Sequence, residues 1–230
     1  SNVNGSKADI QSIGKFCKEN NIIFLVDGAQ SCGHEKIDIK ENNIDYLTVA
    51  GHKGFYAPQS IGALIMGDKY RPNPILFGGT GTNSLELYQP DIFPEKLESG
   101  TISTPLIIGL GAGVDFVEAN FTEINSKLDD LTTFINYELT HLGVDVYTQP
   151  ENAYGVLAFN ISGMHSNEVA DILNEKYDIC VRGGYHCAPL KHTALGTLET
   201  GAVRVSLSYF NTFSEIQRLI YTVKHICKDK

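Results

Sequence analysis

The fold of this chain is decided by the stretch IIFLVDGAQ at residues 22–30, together with YLTVAGHKG at residues 46–54. In each stretch a mainly apolar run leads straight into polar residues: Asp27 follows the first run, and His52 and Lys53 follow the second. Short apolar runs bounded by glycine are typical of β-strands. The first run is apolar throughout, which predicts a parallel strand covered on both faces. We therefore expect two strand ends whose polar side chains converge on one ligand.

A lysine and a carboxylate at neighbouring strand ends are the pair that pyridoxal 5'-phosphate (PLP) chemistry requires. The lysine amine can form a Schiff base with the cofactor, and the carboxylate keeps the pyridine nitrogen protonated so that the ring accepts electrons. Taken alone, Lys53 would more often be a surface lysine, and Asp27 would more often cap a turn. Their positions after two strands favour the cofactor site.

The composition excludes several classes of function. The 230 residues carry a formal net charge of -9 and show no cluster of Lys and Arg, so nucleic acid is not an expected partner. No apolar stretch reaches the roughly 20 residues of a membrane span, so no membrane association is expected. The five cysteines are odd in number and form no C-x-x-C pair, which argues against a disulfide framework or a metal site and predicts a reducing cytoplasm.

Hydrophobic spacing predicts an α/β first part and an α+β second part, with a boundary near Phe121. Helices are expected at residues 7–20, 104–120, 123–141, 166–176 and 214–228, the fourth with Ser166 as its N-cap. Strands are expected at residues 22–26, 45–50, 61–66, 144–147, 155–161, 179–182 and 202–207. Residues 67–100 are rich in Gly, Pro and Asn and predict a long functional loop. The expected domains are therefore residues 1–120 and residues 121–230.

Six motifs in this order resemble those of class V aminotransferases, specifically the cysteine desulfurase group of fold-type I PLP enzymes. The resemblance implies an aspartate aminotransferase-like fold, in which residues 1–120 form the C-terminal part of the PLP-binding large domain around a mainly parallel sheet. Residues 121–230 would form the small α+β domain. The resemblance covers about the last three-fifths of such an enzyme, so we expect the N-terminal part to be missing. The motifs are SNVNG at 1–5, VDGAQ at 26–30, GHKG at 51–54, LESGT at 97–101, RGGYHCAP at 182–189 and VRVS at 203–206.

The resemblance also implies roles in holding the cofactor. Lys53 would carry PLP covalently, and its amine would shuttle protons at the substrate carbon once released. Asp27 would pair with the pyridinium nitrogen. Gln30 and Asn2 would hydrogen-bond the phenolate oxygen of the ring. His52 would contact the phosphate and is also a candidate catalytic residue.

Two further positions bear on the phosphate. Thr101 resembles a threonine that reaches the phosphate of the other subunit's cofactor, which implies a homodimer with a shared active site. Alternatively, Thr101 lies where a helix N-cap is expected. Ala50 departs from the family pattern, because relatives usually carry a Ser or Thr there that binds the phosphate. The Gly-rich loop at 78–82 could replace that contact.

Cys187 is the residue that distinguishes desulfurases from their relatives. Its thiolate would attack the sulfur of the substrate and become a persulfide, and Arg182 and His186 could assist by lowering the pKa of the thiol. Arg204 would bind the substrate α-carboxylate as a bidentate fork, with Arg182 as a second candidate. The remaining cysteines lie in apolar or helical contexts and are interpreted as structural: Cys17, Cys32, Cys180 and Cys227.

These residues together favour a cysteine desulfurase that converts L-cysteine to L-alanine and passes the sulfur to an acceptor protein. A related amino acid as substrate stays open. A selenocysteine lyase would use the same residues, and a class V aminotransferase would not need Cys187. A third alternative is an inactive fragment of such an enzyme, because the stretch that supplies an aromatic residue to stack on the cofactor has no counterpart in these residues.

Overall fold

The computed structural model describes residues 1–82, 85–149 and 153–228. Its contacts divide the chain into two compact units. The lysine unit comprises residues 9–119, and the cysteine unit comprises residues 1–8 together with residues 120–228. The assignment of residues 1–120 to a large cofactor-binding domain stays a prediction, and residues 1–8 belong to the cysteine unit in this structure.

The lysine unit is built on a three-stranded sheet in the order β1-β2-β3. The strands are β1 (Leu25–Asp27), β2 (Tyr46–Ala50) and β3 (Gly62–Met66). β1 and β2 run parallel, and β2 and β3 run antiparallel. Because β1 and β2 run parallel, their carboxyl ends lie at the same edge of the sheet.

Only one face of β1 is covered. Val26 is 9% exposed and packs in a cluster with Leu47, whereas Leu25 is 55% exposed. The expectation of a strand covered on both faces is therefore wrong for the described chain. The reason is that β1 is the edge strand of its sheet and alternate side chains point to opposite faces, so a single layer buries only every second residue.

Helix α1 (Ile10–Glu19) is capped by Asp9, whose side chain accepts a hydrogen bond from the Ser12 amide.

Helix α2 (Thr104–His141) is continuous over 38 residues. Two helices were expected, at 104–120 and 123–141, and this expectation is wrong because residues 121 and 122 are neither Gly nor Pro and nothing ends the helix there. The predicted apolar stripe of its second half is buried in the cysteine unit: Ile124, Leu128, Leu131, Ile135 and Leu139.

The cysteine unit contains an antiparallel sheet in the order β4-β5-β6. Its strands and helices are β4 (Asp145–Val146), β5 (Val156–Asn160), α3 (Ser166–Tyr177), α4 (Pro189–Leu195), β6 (Val203–Ser206) and α5 (Phe213–Lys228). The largest apolar cluster lies between this sheet and the helices, with Leu157, Phe159, Leu173 and Val223 fully buried.

Two local expectations for the cysteine unit need correction. The strand expected at 179–182 is reduced to an isolated bridge between Arg182 and Arg204. The N-cap of α3 is His165, which accepts from the Asn167 amide, because Ser166 Oγ is buried and donates to the Thr200 carbonyl at 2.6 Å. The residues after Cys187 form the short helix α4.

The loop at 67–100 is largely irregular, apart from a short 3₁₀ turn at Glu95–Leu97. Residues 83 and 84 of this loop lie outside the described residues. Several of its apolar side chains are exposed, among them Ile75, Leu76 and Phe77. Over the described ranges, no helix combines the length and apolar character needed to cross a membrane.

Candidate active site

The ends of β1 and β2 bring Asp27 close to the segment that carries Lys53. Asp27 pairs with Thr48 in the parallel register, and its Oδ1 accepts hydrogen bonds from the Ala29 amide at 3.0 Å and the Thr48 hydroxyl at 3.3 Å. The turn that carries Lys53 follows directly after Ala50, the last residue of β2. Thr48 was not identified from the sequence, although the parallel pairing of the two apolar runs would have placed it beside Asp27.

Close packing of glycines holds the two turns after these strands together. A Cβ at Gly33 would lie 2.4 Å from the Gly54 carbonyl oxygen, and a Cβ at Gly54 would lie 2.1 Å from the Cys32 carbonyl oxygen. Real side chains do not approach backbone so closely, so both positions require glycine. The turn after Asp27 is therefore packed backbone to backbone against the turn that carries Lys53.

The charged groups at this edge lack partners of opposite sign. Within the described part of the chain, Asp27 makes no ion pair, and the half-buried Lys53 amine makes no hydrogen bond or ion pair. Burial and the negative charge of Asp27 raise the pKa of the Cys32 thiol to about 11, so Cys32 stays a neutral thiol at neutral pH. The Asp27 carboxylate and the Lys53 amine therefore fit a ligand that offers a cationic ring nitrogen to the carboxylate and an aldehyde to the amine.

The other residues predicted to hold the cofactor are less tightly held. Gln30 is half-buried and His52 is exposed, each close in sequence to a strand end of the lysine unit. Thr101 is exposed in the segment before α2. Ala50 ends β2 opposite Gly62 and offers no polar side chain. The roles predicted for these residues stay predictions.

In the cysteine unit, Cys187 lies on a tight turn with its side chain exposed. His186 and Cys187 both have positive φ, at 51° and 60°, which is rare for two successive residues other than glycine. The Ala188 amide donates to the Tyr185 carbonyl at 2.9 Å and closes the turn. Asn2 Nδ2 donates to the His186 carbonyl at 2.6 Å. The cysteine is therefore presented on a turn that long-range contacts hold in place.

Arg182 and Arg204 form a pair next to this turn. Their backbones exchange two hydrogen bonds, Arg182 N to Arg204 O at 3.1 Å and Arg204 N to Arg182 O at 2.7 Å, so both side chains leave the same face. Arg204 donates from one terminal nitrogen to the Asn2 carbonyl at 2.9 Å, and its Nε is buried without a hydrogen-bond partner among the described residues. No acidic side chain in the described ranges pairs with either arginine.

Burial, with a contribution from the charge of Arg182, lowers the pKa of the Arg204 guanidinium from its usual value. Two adjacent cations without a carboxylate make this position a candidate binding site for an anion. Asn2 connects this anion site to the cysteine turn, because its carbonyl accepts from Arg204 while its amide nitrogen donates to His186. The predicted contact of Asn2 with a cofactor ring stays a prediction.

His186 does not supply a positive charge beside Cys187. Its ring is buried, and its Nε2 lies 2.9 Å from the Ala202 carbonyl, so Nε2 carries the proton and donates. Burial lowers the pKa of His186 to about 4 against the opposing effect of the Ala202 hydrogen bond, with smaller contributions from Arg204, His192 and Arg182. The imidazole is therefore neutral at neutral pH, so any assistance that His186 gives Cys187 does not come from a positive charge.

The remaining cysteines differ in exposure. Cys17 and Cys32 are buried and Cys227 is half-buried, whereas Cys180 is exposed, with its Sγ 3.7 Å from Asn174 Oδ1. The predicted site residues thus fall into two groups: Asp27, Gln30, His52, Lys53 and Thr101 in the lysine unit, and Asn2, Arg182, Cys187 and Arg204 in the cysteine unit. His192, buried near the cysteine turn, was assigned no role from the sequence, because it shows no ligand spacing.

Comparisons with known proteins identify the family of this chain. The model of the family described as Aminotransferase class-V matches residues 1–219. A probable cysteine desulfurase of Methanothermobacter thermautotrophicus is 37% identical over 236 residues, which cover 98% of this chain and 58% of the relative. A probable cysteine desulfurase of Pyrococcus abyssi is 32% identical, covering 99% of this chain and 58% of the relative.

Solved structures show the same likeness. The apo structure of a cysteine desulfurase from Thermococcus onnurineus superposes with a TM-score of 0.93 at 32% identity and covers 100% of this chain and 58% of that chain. The Escherichia coli cysteine desulfurase CsdA superposes with a TM-score of 0.89 at 27% identity, covering 99% and 57%. The predicted α/β fold is confirmed. The chain spans just under three-fifths of the length of these relatives. Because the family model matches residues 1–219 of the 230, the chain belongs to the class V aminotransferase family.

Proposed function

We propose that this protein acts as a PLP-dependent cysteine desulfurase, which converts L-cysteine to L-alanine and leaves the sulfur on Cys187. The observation that carries the proposal is the exposed Cys187 thiol on a held turn, beside an arginine pair without an acidic partner among the described residues. The names of the relatives described above support the same reaction.

The residues of the lysine unit fit the cofactor of this family. Lys53 would hold PLP through its amine, and Asp27 would pair with the ring nitrogen, since neither group has a partner of opposite charge in the described part of the chain. Gln30 and His52 would add contacts to the ring oxygen and the phosphate. When bound, PLP supplies an electron sink for the substrate carbon.

The arginine pair would bind and orient the substrate. The Arg204 guanidinium presents a fork of N–H donors that matches a carboxylate, and its buried Nε has no other hydrogen-bond partner among the described residues. Arg182 adds a second positive charge on the same face. The pair would therefore hold the α-carboxylate of the amino acid.

Cys187 would accept the sulfur. Its thiolate sulfur forms a new S–S bond with the substrate sulfur while the substrate C–S bond breaks and leaves its electron pair with carbon. Protonation of that carbon gives L-alanine, so L-cysteine and the Cys187 thiol become L-alanine and a Cys187 persulfide. No external oxidant or reductant is needed.

The test compares Cys187→Ala with Cys180→Ala, which removes the other exposed thiol of the same unit. Sulfide and alanine released from L-cysteine are measured with added PLP and a reductant. We expect Cys187→Ala to reduce both products to background and Cys180→Ala to retain the rate of the unmodified protein. Retained release of both products by Cys187→Ala would contradict the proposal, because the sulfur would then leave the substrate without a persulfide on Cys187. Comparison of L-cysteine with L-selenocysteine measures the preference for a selenocysteine lyase reaction.

A preceding measurement tests the cofactor site and the alternative of an inactive fragment. Borohydride reduction of the protein with added PLP, followed by peptide mapping, is expected to place the cofactor on Lys53. Absence of any adduct would mean that these 230 residues do not form a cofactor site by themselves, whatever the reaction of a longer protein.

We also propose a cytoplasmic homodimer that delivers sulfur to an acceptor protein. The five free cysteines are consistent with a reducing compartment. The exposed apolar residues Ile75, Leu76 and Phe77 support a contact between subunits. In such a dimer, Thr101 would reach the phosphate of the cofactor held by the other subunit.

A further inference from the structure

We propose that His192 is a positioning residue for Cys187: it fixes helix α4 and, through it, the turn that presents the thiol. The role of Cys187 as nucleophile rests on the proposed function, whereas the positioning of the turn does not. The hydrogen bond and the ring contacts of His192 join it to Thr197, Tyr185 and His186, so it would act through the turn.

The turn needs support from its surroundings. Left-handed backbone at two successive residues that are not glycine is unfavourable and persists only where neighbouring contacts impose it. Asn2 and Ala202 hold the first of these residues, through the His186 carbonyl and the His186 ring respectively. Cys187 itself is exposed, so its own side chain gives the turn no packing.

Helix α4 continues directly from the turn and is held by His192. Its N-cap, Ala188, makes no side-chain hydrogen bond to the helix. His192 is the one fully buried residue among the seven of α4, all of which the structure describes. An isolated helix of this length does not form by itself, so α4 depends on its contacts with the rest of the unit. Leu195 packs against the cluster of Val3, Ala158 and Ala202, and the buried His192 adds a hydrogen-bonded anchor close to the turn.

The contacts of His192 are specific in orientation. Its Nδ1 lies 2.8 Å from the Thr197 hydroxyl, which is also buried, and the Thr197 amide donates to the His192 carbonyl at 2.9 Å. The Tyr185 ring meets the imidazole edge to face, with centroids 5.5 Å apart. The His186 ring lies 5.8 Å away. The imidazole thus fills the space between the first part of the turn and Thr197.

Both sides of Cys187 are thereby tied to one segment, residues 197–202. His186, before the cysteine, donates to the Ala202 carbonyl, and His192, after it, binds Thr197. The Gly201 amide donates to the Thr197 carbonyl at 2.8 Å, which closes the segment on itself. An apolar residue at 192 could fill the same volume but could not make the hydrogen bond that fixes the orientation.

The test uses three variants of the protein. Thr197→Val removes the hydroxyl and keeps the shape, His192→Met keeps an apolar volume without the hydrogen bond, and His192→Asn keeps a polar group near the position of Nδ1. His141→Met, which removes an exposed imidazole from α2 in the same unit, is the matched control. Amide hydrogen exchange is measured at Ala188 and Thr197, whose amides are bonded to Tyr185 and His192.

We expect exchange at these two amides to become at least tenfold faster in Thr197→Val and His192→Met. In His192→Asn and in His141→Met it should stay close to that of the unmodified protein. Exchange in β5 should be unchanged in all variants. Equal acceleration in β5, or no acceleration at the turn, would overturn the proposal, and Thr197→Val decides the matter if His192→Met does not fold.

A kinetic measurement separates positioning from packing. With L-cysteine, we expect Thr197→Val to lower kcat about tenfold and to leave KM unchanged, since the arginine pair is untouched. A raised KM with unchanged kcat would contradict the positioning role. If the unmodified protein shows no desulfurase activity, the proposed function fails while the exchange measurements still test the role of His192.

Discussion

Single residues in the two units carry unpaired charges of opposite sign. Among the described residues, Asp27 is a carboxylate without a cationic partner and Arg204 is a partly buried cation without an anionic one. For the partly buried Arg204, the missing partner is characteristic of a binding site, because a buried charge without a partner costs stability unless a ligand supplies one. Asp27 is exposed, so its charge is available to a ligand. These two residues therefore give the clearest single-residue tests.

Asp27→Asn should weaken PLP binding. The amide cannot carry the negative charge that stabilises a protonated ring nitrogen, and a charge-assisted hydrogen bond contributes roughly 1.5–3 kcal/mol. We expect PLP affinity to fall by about ten- to a hundredfold, measured by absorbance titration. Asp68→Asn, which alters an exposed ion pair with Arg71 in the same unit, is the control and should leave the affinity unchanged. Equal affinities in the two variants would contradict the role of Asp27.

Folding stability should fall in acid because of His186. The pKa of this histidine is lowered from 6.5 to about 4, so the unfolded chain binds a proton that the folded chain does not. The contribution is fully present above pH 6.5 and is lost as the pH falls towards 4, with a total of about 3 kcal/mol.

The measurement compares the unmodified protein with His186→Gln, in which this residue does not titrate. Urea unfolding is followed from pH 7 to pH 4, and the difference in unfolding free energy between the two proteins isolates His186. We expect that difference to shrink by up to about 3 kcal/mol over this range. A constant difference would show that His186 titrates normally.

At the scale of elements, α2 shows how packing decides which glycines a helix tolerates. A Cβ at Gly113 would lie 2.2 Å from the Phe55 carbonyl oxygen, whereas no atom lies within 4 Å of a Cβ at Gly111. Gly113 thus allows close approach of α2 to the turn after Lys53. Gly111 makes no such close approach, so glycine at this position only lowers the stability of the helix.

The two glycines give a matched pair of variants. Gly111→Ala should stabilise the protein by up to about 1 kcal/mol through helix propensity. Gly113→Ala should destabilise it by about 1–3 kcal/mol, because the methyl group collides with backbone that cannot move aside cheaply. Thermal or urea unfolding measures both. Stabilisation by both variants would mean that α2 does not pack against the Phe55 segment.

At the scale of the whole molecule, exposed apolar side chains are concentrated in the loop at 67–100 of the lysine unit. Large exposed patches of this kind mark association surfaces. The loop also lies next in sequence to Thr101, the residue predicted to reach a second subunit. We therefore expect the loop at 67–100 to control dimer formation.

Phe77→Ser should weaken dimerisation. Phe77 is 72% exposed, and burying such a side chain contributes about 1.5–3 kcal/mol, so its loss should raise the dimer dissociation constant about tenfold or more. Sedimentation equilibrium measures the constant. Tyr221→Ser, which removes an exposed aromatic residue from α5, is the control and should have no effect. An unchanged constant in Phe77→Ser would place the subunit contact elsewhere.

Much of the fold and part of the site could be predicted from the sequence, because the signals are local. Apolar runs ending in Asp27 and Lys53 predict strands, and the spacing of Ile124, Leu128 and Leu131 predicts the buried stripe of α2. Local patterns did not show that α2 continues through residues 121 and 122, because two residues of low helix propensity resemble the end of a helix. The strand expected at 179–182 failed for a similar reason, since pairing depends on a partner strand.

The sequence by itself determined the residue types and their order: a lysine and a carboxylate after neighbouring strands, and a cysteine between arginines and Ala-Pro. Only the tertiary structure decided which charges stay unpaired, that His186 is buried and neutral, and that His192 supports the cysteine turn. Burial and hydrogen bonding depend on residues far apart in the chain, such as Asn2 and His186, which are 184 positions apart. No local pattern records such contacts, because they form only when the cysteine unit folds.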